Sequence, residues 1–195
     1  MNAFDQNLAI WVNSLSGSSS ILDSLMRWLA SDYTIPPLLA ITLIATIFAG
    51  RTSEERLRWQ RAAFVGIIAV GMTNWAIAVS NGFWDRLRPY EALPDDITLL
   101  FYPATDPSFP ANPTGVGAAV AVALWGVGVR LRYFLIALTL LVAIGRLYVG
   151  VHYPTDLVGG AVIGVAMAFT ARGIMRVFDP VMNLALRAAR AFALA

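Results

Sequence analysis

Residues 145–160 read GRLYVGVHYPTDLVGG. One apolar segment ends in this stretch and another begins, and the turn between them carries the only histidine of 195 residues. Pro154 suits the first turn of a helix, where its missing N–H has no partner to lose. That puts His152 just ahead of the last apolar span and Asp156 in the first turn of it. A spacing of four lets the carboxylate reach back to one ring nitrogen, fixing the tautomer and leaving the other nitrogen to attack. Arg146, at the end of the preceding span, supplies a fixed cation for a phosphoryl group. Arg88, before Pro89, supplies a second. The alternative for a solitary histidine in a bundle is a polar packing residue, but ionisable groups at membrane depth mark a site or pathway.

The wider composition agrees with a membrane setting. The chain is 58% hydrophobic and 13% charged, with a mean hydropathy of +0.66. Soluble domains are about 45–50% apolar and about 25% charged. The absence of cysteine excludes disulfides, thiolate nucleophiles and zinc-thiolate sites. All 14 basic residues are arginines, and they are dispersed, so no nucleic-acid footprint exists. No basic start followed by a continuous apolar core marks a cleavable signal peptide.

Spanning candidates lie at about 33–50, 62–80, 114–129, 133–150 and 155–177, each approaching the roughly 20 residues that cross a bilayer. The expected fold is all-α: a polytopic helix bundle of five to six spans, read as one domain over 1–195. Within it, 1–32 is an amphipathic segment of two short helices, 33–177 the bundle, and 178–195 an amphipathic tail after a break at Pro180. The alternative for 1–32 is a first span too polar to recognise. The basic loops 51–61 and 130–132 and the C-terminus carry ten of the fourteen arginines. The positive-inside rule makes their side cytoplasmic. The long loop 81–113, with six prolines, and His152 then share the external face of the inner membrane. The small-residue runs GVGAAVA (115–121) and GGAVIGVAMA (159–168) read as intramolecular helix packing, with packing between chains as the alternative.

GRLYVGVHYPTDLVGG resembles the third signature of the type 2 phosphatidic acid phosphatase family, S-R-x5-H-x3-D, with Gly145 where serine is usual. WDRLRPYE is similar to the Arg-Pro end of the first signature, and DPSFPANPTGVGAA to a worn form of the second. The likeness covers nearly the whole chain and is nearest the bacterial undecaprenyl-pyrophosphate phosphatase branch. It implies His152 as the nucleophile forming a phosphohistidine, Asp156 as its orienter, Arg88 and Arg146 as phosphate ligands, and neither metal nor cofactor.

Three positions depart from that pattern. Asn81 stands at the first-signature lysine. Aligned on Ser108-Phe109-Pro110, Ala111 stands at the phosphate-binding serine and Pro113 at the second histidine, the family's general acid. Pairing Pro113-Thr114-Gly115 with P-S-G instead restores a hydroxyl and a glycine and puts Val116 at that histidine. A general acid contributes about 10²–10⁴-fold. Arg86 would replace the lysine only in part, since it points away from Arg88. Asp106, Asp96 and Glu91 are substitute acids only if burial raises them, and read otherwise as solvated loop carboxylates. The favoured reading is therefore a catalytically impaired member that binds a phosphorylated lipid, such as an isoprenyl (pyro)phosphate, or serves as a subunit of a membrane complex. The alternative is an active lipid pyrophosphatase using His152, since a pyrophosphate expels a good leaving group and needs an acid less. A vanadate haloperoxidase and a transporter fit less well.

Overall fold

A computed structural model describes the backbone of residues 3–191 and the side chains of residues 3–178. The described residues are all-helical: α1 (Ala3–Asn13), α2 (Ser20–Ala30), α3 (Ile35–Ile47), α4 (Ser53–Asn81), α5 (Pro89–Ala92), α6 (Asn112–Ala123), α7 (Val129–Tyr148) and α8 (Pro154–Ala191). By length and composition, α4, α7 and Pro154–Phe178 of α8 are long and apolar enough to cross a membrane. The pair α2 and α3, bent by 47° at residues 31–34, makes a fourth if counted as one span.

The expected span 114–129 is not a full span. Helix α6 has only 12 residues, about 18 Å at 1.5 Å per residue, and the chain turns at 124–127. Its place explains its length. α6 is the hub: Val120, Ala121 and Leu124 pack with Leu39 and Leu43 of α3 and Leu135 and Val142 of α7. Ala119 and Ala123 face Val65 and Ala69 of α4 and Ala168 and Ala171 of α8. Its last carbonyls, at Val122 and Ala123, accept hydrogen bonds from Arg172 of α8, as helix C-termini at membrane depth require.

The small-residue runs meet each other, as the intramolecular reading expects. A Cβ on Gly164 would lie 2.0 Å from the Gly115 carbonyl oxygen, and one on Gly160 2.0 Å from that of Ala111. Only glycine lets α6 and α8 approach backbone to backbone there.

Two expected loops are helix instead. Residues 53–61 open α4, because Thr52 accepts from the Glu55 amide at 3.2 Å while the Glu55 carboxylate accepts from Thr52 at 3.4 Å, a capping box. Residues 130–132 open α7. The expected break at Pro180 is absent, since α8 runs on to Ala191. The amphipathic stripe expected over 178–195 lies outside the described side chains. Apolar side chains such as Ile67, Leu140 and Val162 face outward at mid-helix, and that outer face meets lipid. The helices alternate in direction, so residues 48–52 and 124–128 sit at one end of the bundle and 82–111 and 149–153 at the other.

Candidate active site

The turn from α7 to α8 places the histidine. Gly150 adopts φ +82°, its N–H bonds Leu147 O at 3.2 Å, and the Val151 N–H bonds Arg146 O at 3.3 Å. This pairing closes a helix through a left-handed residue. A Cβ at Gly150 would also meet Ile97 Cγ2 at 2.7 Å, so glycine is required twice over. His152 follows two residues later, 3% exposed, and α8 starts at Pro154 as the sequence implies.

His152 Nδ1 lies 2.9 Å from the carbonyl oxygen of Ser108. A carbonyl only accepts, so Nδ1 carries the proton and Nε2 keeps its lone pair. Burial first, then the positive charges of Arg88 and Arg146, hold the imidazole well below the usual histidine range. The ring is neutral at physiological pH, with Nε2 3.4 Å from Arg88 Nη1.

Asp156 stands 3.9 Å from Nδ1, so the ring's close hydrogen bond goes to Ser108 rather than to this carboxylate. Asp156 Oδ2 accepts from Ser108 Oγ at 2.5 Å and from the Tyr153 N–H at 2.7 Å, and Oδ1 accepts from Arg86 Nη1 at 2.6 Å. It thereby ties the Ser108 loop to the start of α8. Its hold on the ring is a direct electrostatic contact at 3.9 Å together with the link through Ser108.

Arg88 and Arg146 line one cavity of about 280 Å³ with His152, Asp32, Asp106, Asn112 and Pro113. Arg88, 3% exposed, donates from Nη1 to Val151 O at 2.9 Å, from Nε to Asp106 O at 3.0 Å, and from Nη2 to Asp106 Oδ1 at 2.9 Å. The Glu91 carboxylate accepts the Arg88 amide at 3.0 Å and fixes the entry to α5. Arg146 pairs with Asp32 and lies over the Phe101 ring, and its buried Nε has no hydrogen-bond partner among the described residues. Two guanidinium groups, a helix N-terminus at Asn112 and a neutral imidazole whose unprotonated Nε2 faces Arg88 suit a phosphoryl group. An adjoining cavity of about 270 Å³ shares Asp32, Asn112 and Pro113, and is lined beyond them by Pro36, Leu39, Leu43 and Val120.

The remaining expected positions separate. Pro113 lines the cavity. Ala111 does not: its N–H bonds Asp156 O at 3.0 Å in the contact between α6 and α8. The Asn81 amide lies 3.2 Å from the carbonyl oxygens of Ile77 and Phe109. Arg86 turns away to Asp5, Thr155 and Asp156. It borders a larger cavity of about 690 Å³, among Phe83, Trp84 and Phe109, that His152 does not line. Of the loop carboxylates, Asp106 enters the site, Glu91 is a backbone cap, and Asp96 lines no part of this cavity. Sequence reasoning missed Ser108 as the imidazole's partner, although Ser108-Phe109-Pro110 was the best-matched part of the worn signature. It also missed Asp32, which no local pattern marks.

The PAP2 superfamily profile matches residues 61–178, more than half of the chain. The chain belongs to the PAP2 superfamily. Among PAP2-type relatives, it is 26% identical over 176 residues to undecaprenyl-diphosphatase BcrC of Bacillus subtilis, covering 90% of this chain and 86% of that one. It is 27% identical to the putative undecaprenyl-diphosphatase YbjG of Escherichia coli, covering 85% and 81%. The solved Aquifex aeolicus LpxE superimposes with a TM-score of 0.67 at 25% identity, over 88% of this chain and 96% of that one. The PAP2-type phosphatidylglycerolphosphate phosphatase of B. subtilis does so at 0.66 and 20% identity, over 89% and 85%. The second likeness speaks for fold alone. Asp5 and Asp32, which pair with Arg86 and Arg146, come from outside the matched PAP2 region.

Proposed function

We propose that this chain hydrolyses a lipid diphosphate at the external face of the cell membrane, with His152 as nucleophile. The observation that carries the reading is the single-tautomer imidazole, its unprotonated Nε2 facing Arg88 Nη1, in a cavity it shares with Arg88 and Arg146. The adjoining apolar cavity supports a substrate with a hydrocarbon chain. The PAP2 relatives named for undecaprenyl diphosphate support an isoprenyl diphosphate. In the first step the Nε2 lone pair attacks the terminal phosphorus. The bridging P–O bond breaks, and its electrons leave with the lipid monophosphate. The arginines hold the equatorial oxygens. A phosphate monoester leaves without help, so the absent acid at Pro113 is tolerated for this substrate class. Turnover stays below that of a site that also has the lysine and serine missing at Asn81 and Ala111. The external placement rests on the positive-inside rule, with ten of the fourteen arginines falling in the segments 51–61, 130–132 and 172–190.

The test is phosphate release by purified protein from an isoprenyl diphosphate and from a lipid phosphate monoester. The diphosphate is expected to be the faster substrate by at least roughly tenfold, and His152→Ala to remove both activities. Equal rates that persist in the alanine variant would refute the reading. A second reading, in which the protein binds a phosphorylated lipid without turnover, alone or within a membrane complex, is favoured by Arg88 and Arg146 being already paired to carboxylates. Saturable lipid binding with no phosphate release would select it.

A further inference from the structure

The reaction proposed above leaves a phosphohistidine that water must break. The usual second histidine is absent at Pro113, so the water needs another proton acceptor. The cavity offers two carboxylates, Asp32 and Asp106. Both oxygens of Asp32 are engaged, Oδ1 by Arg146 and Oδ2 by the Tyr102 hydroxyl. Among the described residues Asp106 commits only Oδ1, to Arg88 Nη2, while its backbone carbonyl takes Arg88 Nε. Its side chain is 58% exposed, so Oδ2 meets water. Arg88 spans the distance between the two groups: Nη2 holds Asp106, and Nη1 is 3.4 Å from His152 Nε2. Asp156, by contrast, is fully buried with both oxygens bonded, and Glu91 is tied to the Arg88 amide.

We propose that Asp106 is the general base of the second step, accepting the proton of the water that attacks the phosphohistidine. This inference rests on the phosphatase reading. The water oxygen bonds to phosphorus, the P–N bond breaks, and its electron pair returns to His152 Nε2. The water proton passes to Asp106 Oδ2, and the exposed carboxyl then returns it to solvent as phosphate leaves. The division of labour follows from the leaving group. Departure of a lipid monophosphate needs no acid, whereas attack by water does need a base, and a carboxylate oxygen can accept that proton. The family's single acid-base histidine is thus replaced, for diphosphates, by one carboxylate that acts in one direction.

The experiment follows the label from an isoprenyl diphosphate carrying a radioactive terminal phosphate, using full-length protein, rapid quenching, and the Asp106→Asn and Asp106→Ala variants. Asp106→Asn is expected to form labelled protein at the wild-type rate and to accumulate it, while steady-state release falls about 10²–10⁴-fold. Formate added to Asp106→Ala is expected to restore part of the release, which a structural role for Asp106 would not predict. Wild-type turnover in Asp106→Asn overturns the inference and leaves the phosphatase reading standing. A matched fall in labelling and release, without formate rescue, overturns it too and makes Asp106 a positioning residue for Arg88. Neither label nor release in the wild-type protein overturns both.

Discussion

Hydrogen bonding to the Ser108 carbonyl gives His152 one tautomer, and burial, reinforced by the nearby guanidinium groups, makes its protonation costly. The folded ring therefore stays neutral below the pH at which a free imidazole, near 6.5, gains a proton. Two consequences share one sign. The acid limb of kcat/KM belongs well below pH 6.5, and an acid limb at or above 6.5 in a pH profile would contradict the assignment. Unfolded chain takes up this proton below about 6.5 and folded chain does not, so the ring's contribution to stability is complete above that pH and declines as pH falls. Pro113 permits a second test at the same scale. Because it lines the cavity, Pro113→His should introduce an acid and raise hydrolysis of phosphate monoesters by about 10²–10⁴-fold. It should change diphosphate hydrolysis much less, and the ratio of the two rates measures the effect. Much of this site was legible in the sequence: Arg88, Arg146 and His152 converge on one cavity as their motifs imply. Asp156 was legible in position but not in partner, since a spacing of four gives reach and not occupancy. Asp32 was illegible, because it meets Arg146 across 114 residues and only the bend between α2 and α3 brings it there.

Between elements, the contact of α6 with α8 governs where the cavity floor lies. Gly164→Ala drives a Cβ against the Gly115 carbonyl and should cost about 1–3 kcal/mol through overpacking. Gly173→Ala, in the same helix, meets nothing within 4 Å and should instead stabilise by about 0.5–1 kcal/mol, the usual gain over glycine in a helix. Thermal unfolding of the two variants in one detergent reads both signs at once. Hydropathy located α3, α4, α7 and α8, because residues facing lipid and residues facing the core are both apolar there. It misplaced their ends. Arginines between apolar runs say which side a segment faces, not where a helix starts, and the capping pair Thr52 and Glu55 carries that information. α6 misled for a related reason: a largely buried helix is as apolar as a spanning one and obeys no length requirement.

At the scale of the whole molecule, the natural lack of cysteine makes orientation easy to measure. Single cysteines introduced at Thr105 and at Glu54 lie at opposite ends of the bundle, and both positions are exposed. In intact cells a membrane-impermeant maleimide should label the first and spare the second, and the reverse pattern would put the site in the cytoplasm. The pairings of Arg88 with Asp106 and of Arg146 with Asp32 also govern how such a molecule meets its ligand. The formal charges of the cavity walls cancel, so little long-range field draws anions in, and an arriving headgroup competes with carboxylates already seated. Occupancy becomes ion exchange rather than capture. Free phosphate, with no hydrocarbon chain to anchor it in the bilayer, is then easily let go.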